Sequence, residues 1–167
     1  MALDAWKNLV VAPVAVALKR HGFRKKGFVF SAQRPGVLLL VTLQSGTNSA
    51  QDSLQITCNL GIWVEQLERN SSPTVWESHW RMRIGFYLPE PRDYWWECMS
   101  DKSAAIAGKE IASLLETIAL PALESLASPQ ALFALWSSGR SPGLTEMQRV
   151  SYLARLGSAQ SPSVPAG

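Results

Sequence analysis

The stretch Leu54–Val64, LQITCNLGIWV, sets Leu54, Ile56, Cys58, Leu60, Ile62 and Val64 at its even positions and Gln55, Thr57, Asn59, Gly61 and Trp63 at its odd ones. A period of two marks a β-strand with one buried face and one of different character. A slip of one residue would bury Gln55, Thr57 and Asn59 and expose the whole aliphatic set, so the register is strongly specified. The even face is taken up by packing, and function is sought on the odd one.

The neighbouring segments fit around this strand. Residues 3–20 carry Trp6, Leu9, Val10, Val14, Ala17 and Leu18 on one stripe and predict an amphipathic helix, with Pro13 a point of kinking and Gly22 a stop. Residues 27–33 predict a first strand with Phe28 and Phe30 inward, and Arg34-Pro35-Gly36 a tight turn into a second strand, Val37–Ser45. That second strand is apolar over most of its length, as suits a strand with neighbours on both edges. Loop signals follow at 45–49 and 70–73. Residues 79–88 are ambiguous: Trp80, Met82, Ile84 and Phe86 alternate as in a strand, whereas Trp80, Ile84 and Leu88 repeat as in a helix, and the strand is the expectation taken forward. The longest helix is expected over 102–126, kinked or divided at Pro121, with shorter helices over 129–136 and 144–156. Residues 158–167 hold too little apolar content to order themselves.

At 167 residues, 47% hydrophobic and 17% charged, the chain suits one globular domain, residues 1–157, with a core that needs no disulfide staples. Its apolar runs are too short to span a bilayer, and MALDAWKN lacks the basic start of a secretory leader, so a cytoplasmic location without a membrane partner is expected. Cys58 and Cys98 permit one disulfide but do not require it. The net charge of +3 conceals an asymmetry: residues 1–34 hold seven Lys and Arg against Asp4 alone. This excess concentrates in Lys19, Arg20, Arg24, Lys25 and Lys26, whose plainest reading is a solvated helix end. Phe23 and Phe28 beside them fit a hairpin core, so nucleic acid is not an expected partner.

These elements compose an α+β domain, a four-stranded antiparallel meander with an N-terminal helix and a C-terminal helical segment packed on one face. If Thr42 and Gln44 share a face with Thr57 and Asn59, and His79, Arg81 and Arg83 alternate out beside them, the opposite face gathers amides, a histidine and two arginines next to Trp63. The candidate ligand-binding set is therefore Gln44, Asn59, Trp63, His79, Arg81 and Arg83. Guanidinium groups two apart on a strand point the same way and present parallel forks to a carboxylate or phosphate. Two accounts stand open: a solvated sheet surface whose arginines pair with Glu65, Glu77 or Asp93, or a binding site.

The order Gly22-Phe23-x-Lys25-Lys26-Gly27-x-x-Phe30, Leu43-Gln44-Ser45, Asn59-Leu60-Gly61-Ile62, His79-Trp80-Arg81-x-Arg83-Ile84-Gly85 and Asp93-x-Trp95-Trp96 resembles a family of small bacterial proteins classed only as a domain of unknown function. The resemblance spans roughly residues 3–125 and implies no activity or ligand. It favours Gln44, Asn59, Arg81 and Arg83 again and leaves the helices after Pro129 outside the family's pattern.

With His21 and His79 the only histidines, and no Cys or His pair at ligand spacing, no metal site is expected. There is no GxSxG elbow, phosphate loop or dinucleotide fingerprint, and no cofactor is expected. Cys58 points inward and His79 outward, which separates the one nucleophile–base pair that can be drawn. His79 as a general base needs an orienting carboxylate, and Glu65, Glu68 and Glu77 near strand ends are ordinarily solvated. Two classes remain. One is a non-catalytic binding module for an acidic protein or anionic ligand, by analogy of size and shape with immunity and antitoxin partners. The other is an enzyme acting on an anionic or phosphorylated substrate, with His79 as acid or base. The missing catalytic motifs favour the first, and nothing sets the oligomeric state.

Overall fold

In the computed structural model, which describes residues 2–50 and 52–159, the alternation of Leu54–Val64 produces one unbroken strand. It lies in a six-stranded antiparallel sheet made of β1 (Arg24–Lys26), β2 (Val29–Arg34), β3 (Val37–Ser45), β4 (Leu54–Val64), β5 (Trp80–Arg83) and β6 (Trp96–Cys98). The spatial order is β1-β2-β3-β4-β5, and β6 pairs β4 as well. β4 is bonded to β3 from Val37↔Val64 to Ser45↔Ile56, and divides its other edge between β5 and β6.

The expected meander is present, with short strands added at both ends. β1 lies outside the sequence expectation because Arg24-Lys25-Lys26 has no apolar alternation; a turn creates it. Gly27, at φ +63°, takes the first central position of a two-residue hairpin loop and sets the register Lys26↔Val29. The next strand therefore begins at Val29 rather than at residue 27, and Phe28, expected inward, is exposed at the turn. Residues 79–88 divide between the two expectations: β5 ends at Arg83 and Ile84–Tyr87 forms a 3-10 turn. That turn brings Phe86 to the surface, against the inward position that alternation assigns it.

The helices are α1 (Ala2–Arg20), α2 (Asp101–Leu114), α3 (Leu120–Ser125), α4 (Pro129–Ser137) and α5 (Glu146–Ala159). α1 and α2 join the even-numbered face of β4 in one apolar core with Trp6, Val10, Val14, Leu18, Ile56, Leu60 and Ile111. The long helix expected over 102–126 is divided near Pro121, by a π turn at Leu115–Ala119. Proline lacks an N–H and crowds the carbonyl four residues back, and the wider π spacing accommodates both effects. α5 runs through Ala159, so the expected tail begins inside it, and residues 160–167 lie outside the described residues. No single described helix is long and apolar enough to cross a membrane.

Pro13 sits within α1 without ending it and leaves the Leu9 carbonyl without its intrahelical donor. α2 approaches at this spot. A Cβ on Gly108 would stand 2.8 Å from Pro13 Cγ, 2.8 Å from Val10 O and 2.9 Å from Leu9 O. The indole of Trp6 donates to Asp101 Oδ1 at 2.9 Å and ties the two helices again at the start of α2. Gly108→Ala is expected to cost about 1–3 kcal/mol through overpacking. Gly157→Ala is the control: its Cβ meets nothing nearer than Phe133 at 3.7 Å, and better helix propensity should stabilise by up to about 1 kcal/mol. Denaturant unfolding of the two variants should move the midpoint in opposite directions.

Candidate functional site

The pairs Thr42↔Asn59, Gln44↔Thr57, Gly61↔Arg81 and Asn59↔Arg83 put the candidate residues on one face, since directly opposed side chains leave a sheet on the same side. That face is not a solvated surface: Thr57, Asn59, Trp63 and His79 are all buried. Gly61 admits the cover. A Cβ there would stand 2.5 Å from Ser78 Oγ and 3.0 Å from Val75 Cγ2, so the segment leading to β5 lies directly on the strand. Thr57 Oγ1 donates to Tyr94 O at 2.9 Å, and Tyr152 of α5 reaches His79.

Beneath this cover the six candidates separate into two groups. Gln44, Asn59 and Arg83 form a relay: Asn59 Nδ2 donates to Gln44 Oε1 at 3.0 Å, Arg83 Nε donates to Asn59 Oδ1 at 3.1 Å, and Arg83 Nη1 donates to Asp93 Oδ1 at 2.7 Å. The Arg83 guanidinium also lies over the Trp95 ring, 5.1 Å from its centroid. Arg81 does not present a parallel fork. Its Nη1 donates to Trp76 O at 2.8 Å and its Nη2 to Gly143 O at 2.9 Å. Both acceptors are neutral, and no described carboxylate pairs with Arg81. Arg81, Arg83, Asn59 and Asp93 line an open cleft of about 320 Å³ that also takes in Trp76 and Phe86, each 48% exposed. Trp76 is held in a 3-10 turn, Val75–Glu77, where the Glu77 carboxylate accepts from both Thr74 Oγ1 and Thr74 N–H. Those hydrogen bonds hold the Glu77 carboxyl below its usual range and occupy it locally rather than with an arginine.

His79 and Trp63 form the second group, away from the cleft. The backbone N–H of Val64 donates to His79 Nδ1 at 2.9 Å, so the imidazole occupies a β4 edge position just before β5 begins. The ring stacks obliquely on Trp63 at 4.6 Å and edge-on to Tyr152 at 5.1 Å. Burial, and secondarily the charge of Arg155, lower its pKa to about 4. Glu68 Oε2 lies 4.0 Å from His79 Nε2, but its side chain is 65% exposed and is outweighed. His79 is thus a buried core group with one nitrogen engaged, and it makes no hydrogen bond to Arg81 or Arg83 and does not line their cleft. Burial pushes the Cys58 thiol far above its ordinary range, leaving it without nucleophilic character.

The cleft includes positions absent from the sequence-derived set. Trp76 carries a sequence signal, an aromatic residue inside the polar segment Ser71-Ser72-Pro73-Thr74-Val75-Trp76-Glu77-Ser78. Gly143 contributes only its carbonyl, for which no side-chain signal exists. A family model described as Domain of unknown function (DUF4304) matches residues 14–125. The chain belongs to this family. The DUF4304 span contains the whole sheet and the relay from Gln44 to Asp93, whereas α4 and α5, with Gly143 and Tyr152, lie beyond it. No curated protein and no solved structure matches the chain.

The position of His79 makes stability depend on pH. Its folded pKa, about 4, lies below the ordinary 6.5, so between those values the unfolded chain binds a proton that the folded protein does not. The contribution is fully present above pH 6.5 and is lost as pH falls toward 4, to a total of up to about 3 kcal/mol. Denaturant unfolding at pH 7 and pH 5 should show a larger loss for the native protein than for His79→Phe, which has nothing to protonate at that position.

Proposed function

We propose that this protein is a non-catalytic binding module that holds an acidic protein segment or an anionic ligand at the Arg81–Arg83 cleft. The observation that carries the reading is the uncompensated charge of Arg81. Its guanidinium is fixed by two neutral carbonyls, while Asp93 balances Arg83 alone, so the cleft keeps a net positive charge between two half-exposed aromatic rings. Guanidinium groups beside aromatic side chains are the usual composition of a protein-binding hot spot. An immunity or antitoxin-like role is the form in which such a module would act in a bacterial cytoplasm, a location with which the unpaired thiols of Cys58 and Cys98 agree.

An enzyme acting on a phosphorylated substrate would need an acid–base group at the cleft. Among the described residues Asp93 is the one carboxylate lining it, and it is held by Arg83. His79, which such an enzyme would use, is buried elsewhere.

Arg83 is the residue to test, because Arg81 also holds the chain at Trp76 and Gly143. Arg83→Gln removes an ion pair with a half-exposed carboxylate and one hydrogen bond, and is expected to cost about 1 kcal/mol of stability. Calorimetric titration with tetra-aspartate should show binding to the native protein and at least about fivefold weaker binding to the variant. A loss of several kcal/mol with unchanged peptide binding would make Arg83 a structural residue and would remove the reading.

A further inference from the structure

We infer that the trough between the β1–β3 part of the sheet and residues 71–76 is a second site, separate from the Arg81–Arg83 cleft, which takes a small aliphatic carboxylic acid whose body carries a further hydrogen-bonding group.

The turn at Gly27 sets Lys26 opposite Val29, and Val29 lies opposite Thr42, so these three side chains leave the sheet on one face in a single row. Ser31 and Leu40 form the neighbouring row on that face. Toward β4 the face is closed. Val75 is buried, and its Cγ2 would stand 3.0 Å from a Cβ on Gly61, the β4 partner of Leu40. Val75 and Trp76 line the Arg81–Arg83 cleft as well as this cavity of about 450 Å³, and so form a partition between the two. The cavity is therefore a blind trough, with Val29, Leu38 and Leu40 as its floor and Pro73, Val75 and Trp76 as its wall. The wall is fixed in advance of any ligand: Thr74 and Glu77 cap one another, and Arg81 holds Trp76 O.

Volume, charge and polarity select the occupant. Small-molecule sites span about 300–1,000 Å³ and are mostly apolar with a few placed polar groups, a description that this trough meets. Its closed inner end suits a molecule that enters by one end and not a polymer passing across. Lys26 is the one charged residue lining it among the described residues; it is exposed and makes no ion pair with any described carboxylate. A single anionic group thus belongs at the outer end. Two strand intervals of about 4.8 Å put Thr42 roughly 10 Å further in. Its hydroxyl is buried without a hydrogen-bond partner among the described residues, a state that destabilises until something pairs with it. A linear acid with a hydroxyl or carbonyl at the far end of an aliphatic body answers the lysine, the floor and the threonine together.

Isothermal titration of the full chain with ω-hydroxydecanoate, kept below its micellar concentration, tests this. One molecule should bind per chain, and Lys26→Gln should weaken it about fivefold. Thr42→Val should weaken it about fivefold too, and should bring ω-hydroxydecanoate and decanoate to equal affinity. Ser31→Phe, which sets a ring on the floor, should abolish binding. The first two substitutions remove an unpaired charge and an unpaired hydroxyl, so neither should lower the melting temperature, and a loss of binding in them reports on the site. If Arg83→Gln weakens the acid and Lys26→Gln does not, the acid sits in the cleft and the trough is refuted while the anion site stands. No binding to the native protein refutes the trough and leaves the cleft to its own titration with tetra-aspartate. Several molecules per chain, or binding indifferent to all three trough substitutions, marks association with the surface at large and overturns the inference. Equal affinity of the native protein for the two acids overturns the pairing with Thr42 and the ligand chemistry drawn from it.

Discussion

Everything in this molecule is arranged about a strand that is paired on both edges and covered on both faces. β4 has β3 along one side, β5 and β6 along the other, the helical core on its even residues and the segments around Ser78 and Tyr94 on its odd ones. A strand so enclosed cannot leave polar side chains unanswered, because a buried amide or hydroxyl without a partner costs about 1–3 kcal/mol. Thr57 is answered by a backbone carbonyl, and Asn59 by Gln44 and Arg83. The relay that ends at Asp93 is thus first a solution to the burial of Asn59, and its outer end becomes a surface feature because Arg83 is long enough to reach the cleft.

The two arginines of β5 differ in electrostatic effect despite their equivalent places on the strand. Arg83 meets a carboxylate, an amide and an indole face, which together spread and balance its charge. Arg81 meets only carbonyl dipoles, which orient a guanidinium without neutralising it. Fixed orientation with residual charge favours anion recognition, since little side-chain freedom remains to be lost when a ligand arrives.

Period and register were legible in the sequence; cover was not. The alternation in Leu54–Val64 gives both ends of β4, and the pairing that brings Gln44, Asn59 and Arg83 together follows from the same alternation. Gln55, Thr57 and Asn59 make the odd face read as solvent-facing, although Gly61 and Trp63 together signal close approach and burial. The same alternation assigns His79 to the surface, whereas its imidazole serves the Val64 N–H in the core. β1 was illegible for a different reason: its residues have no strand pattern, and a single glycine turn imposes their pairing.

The C-terminal helices bury Leu132, Trp136 and Leu156 in the common core, and arginines that grip main chain add fixed joints to that packing. Arg81 holds Gly143 O, Arg155 holds Leu67 O, and Arg149 holds Trp136 O within the appendage itself. A carbonyl is supplied by every residue type, so these joints place no demand on the identity of the acceptor, only on the path of the backbone. The side chains of Leu67 and Trp136 answer to the core rather than to the joints, whereas Gly143, at φ +77°, is required by the backbone path that its joint uses. The freedom to diverge therefore falls to the exposed positions of the appendage, which is where one copy of the scaffold can become different from another.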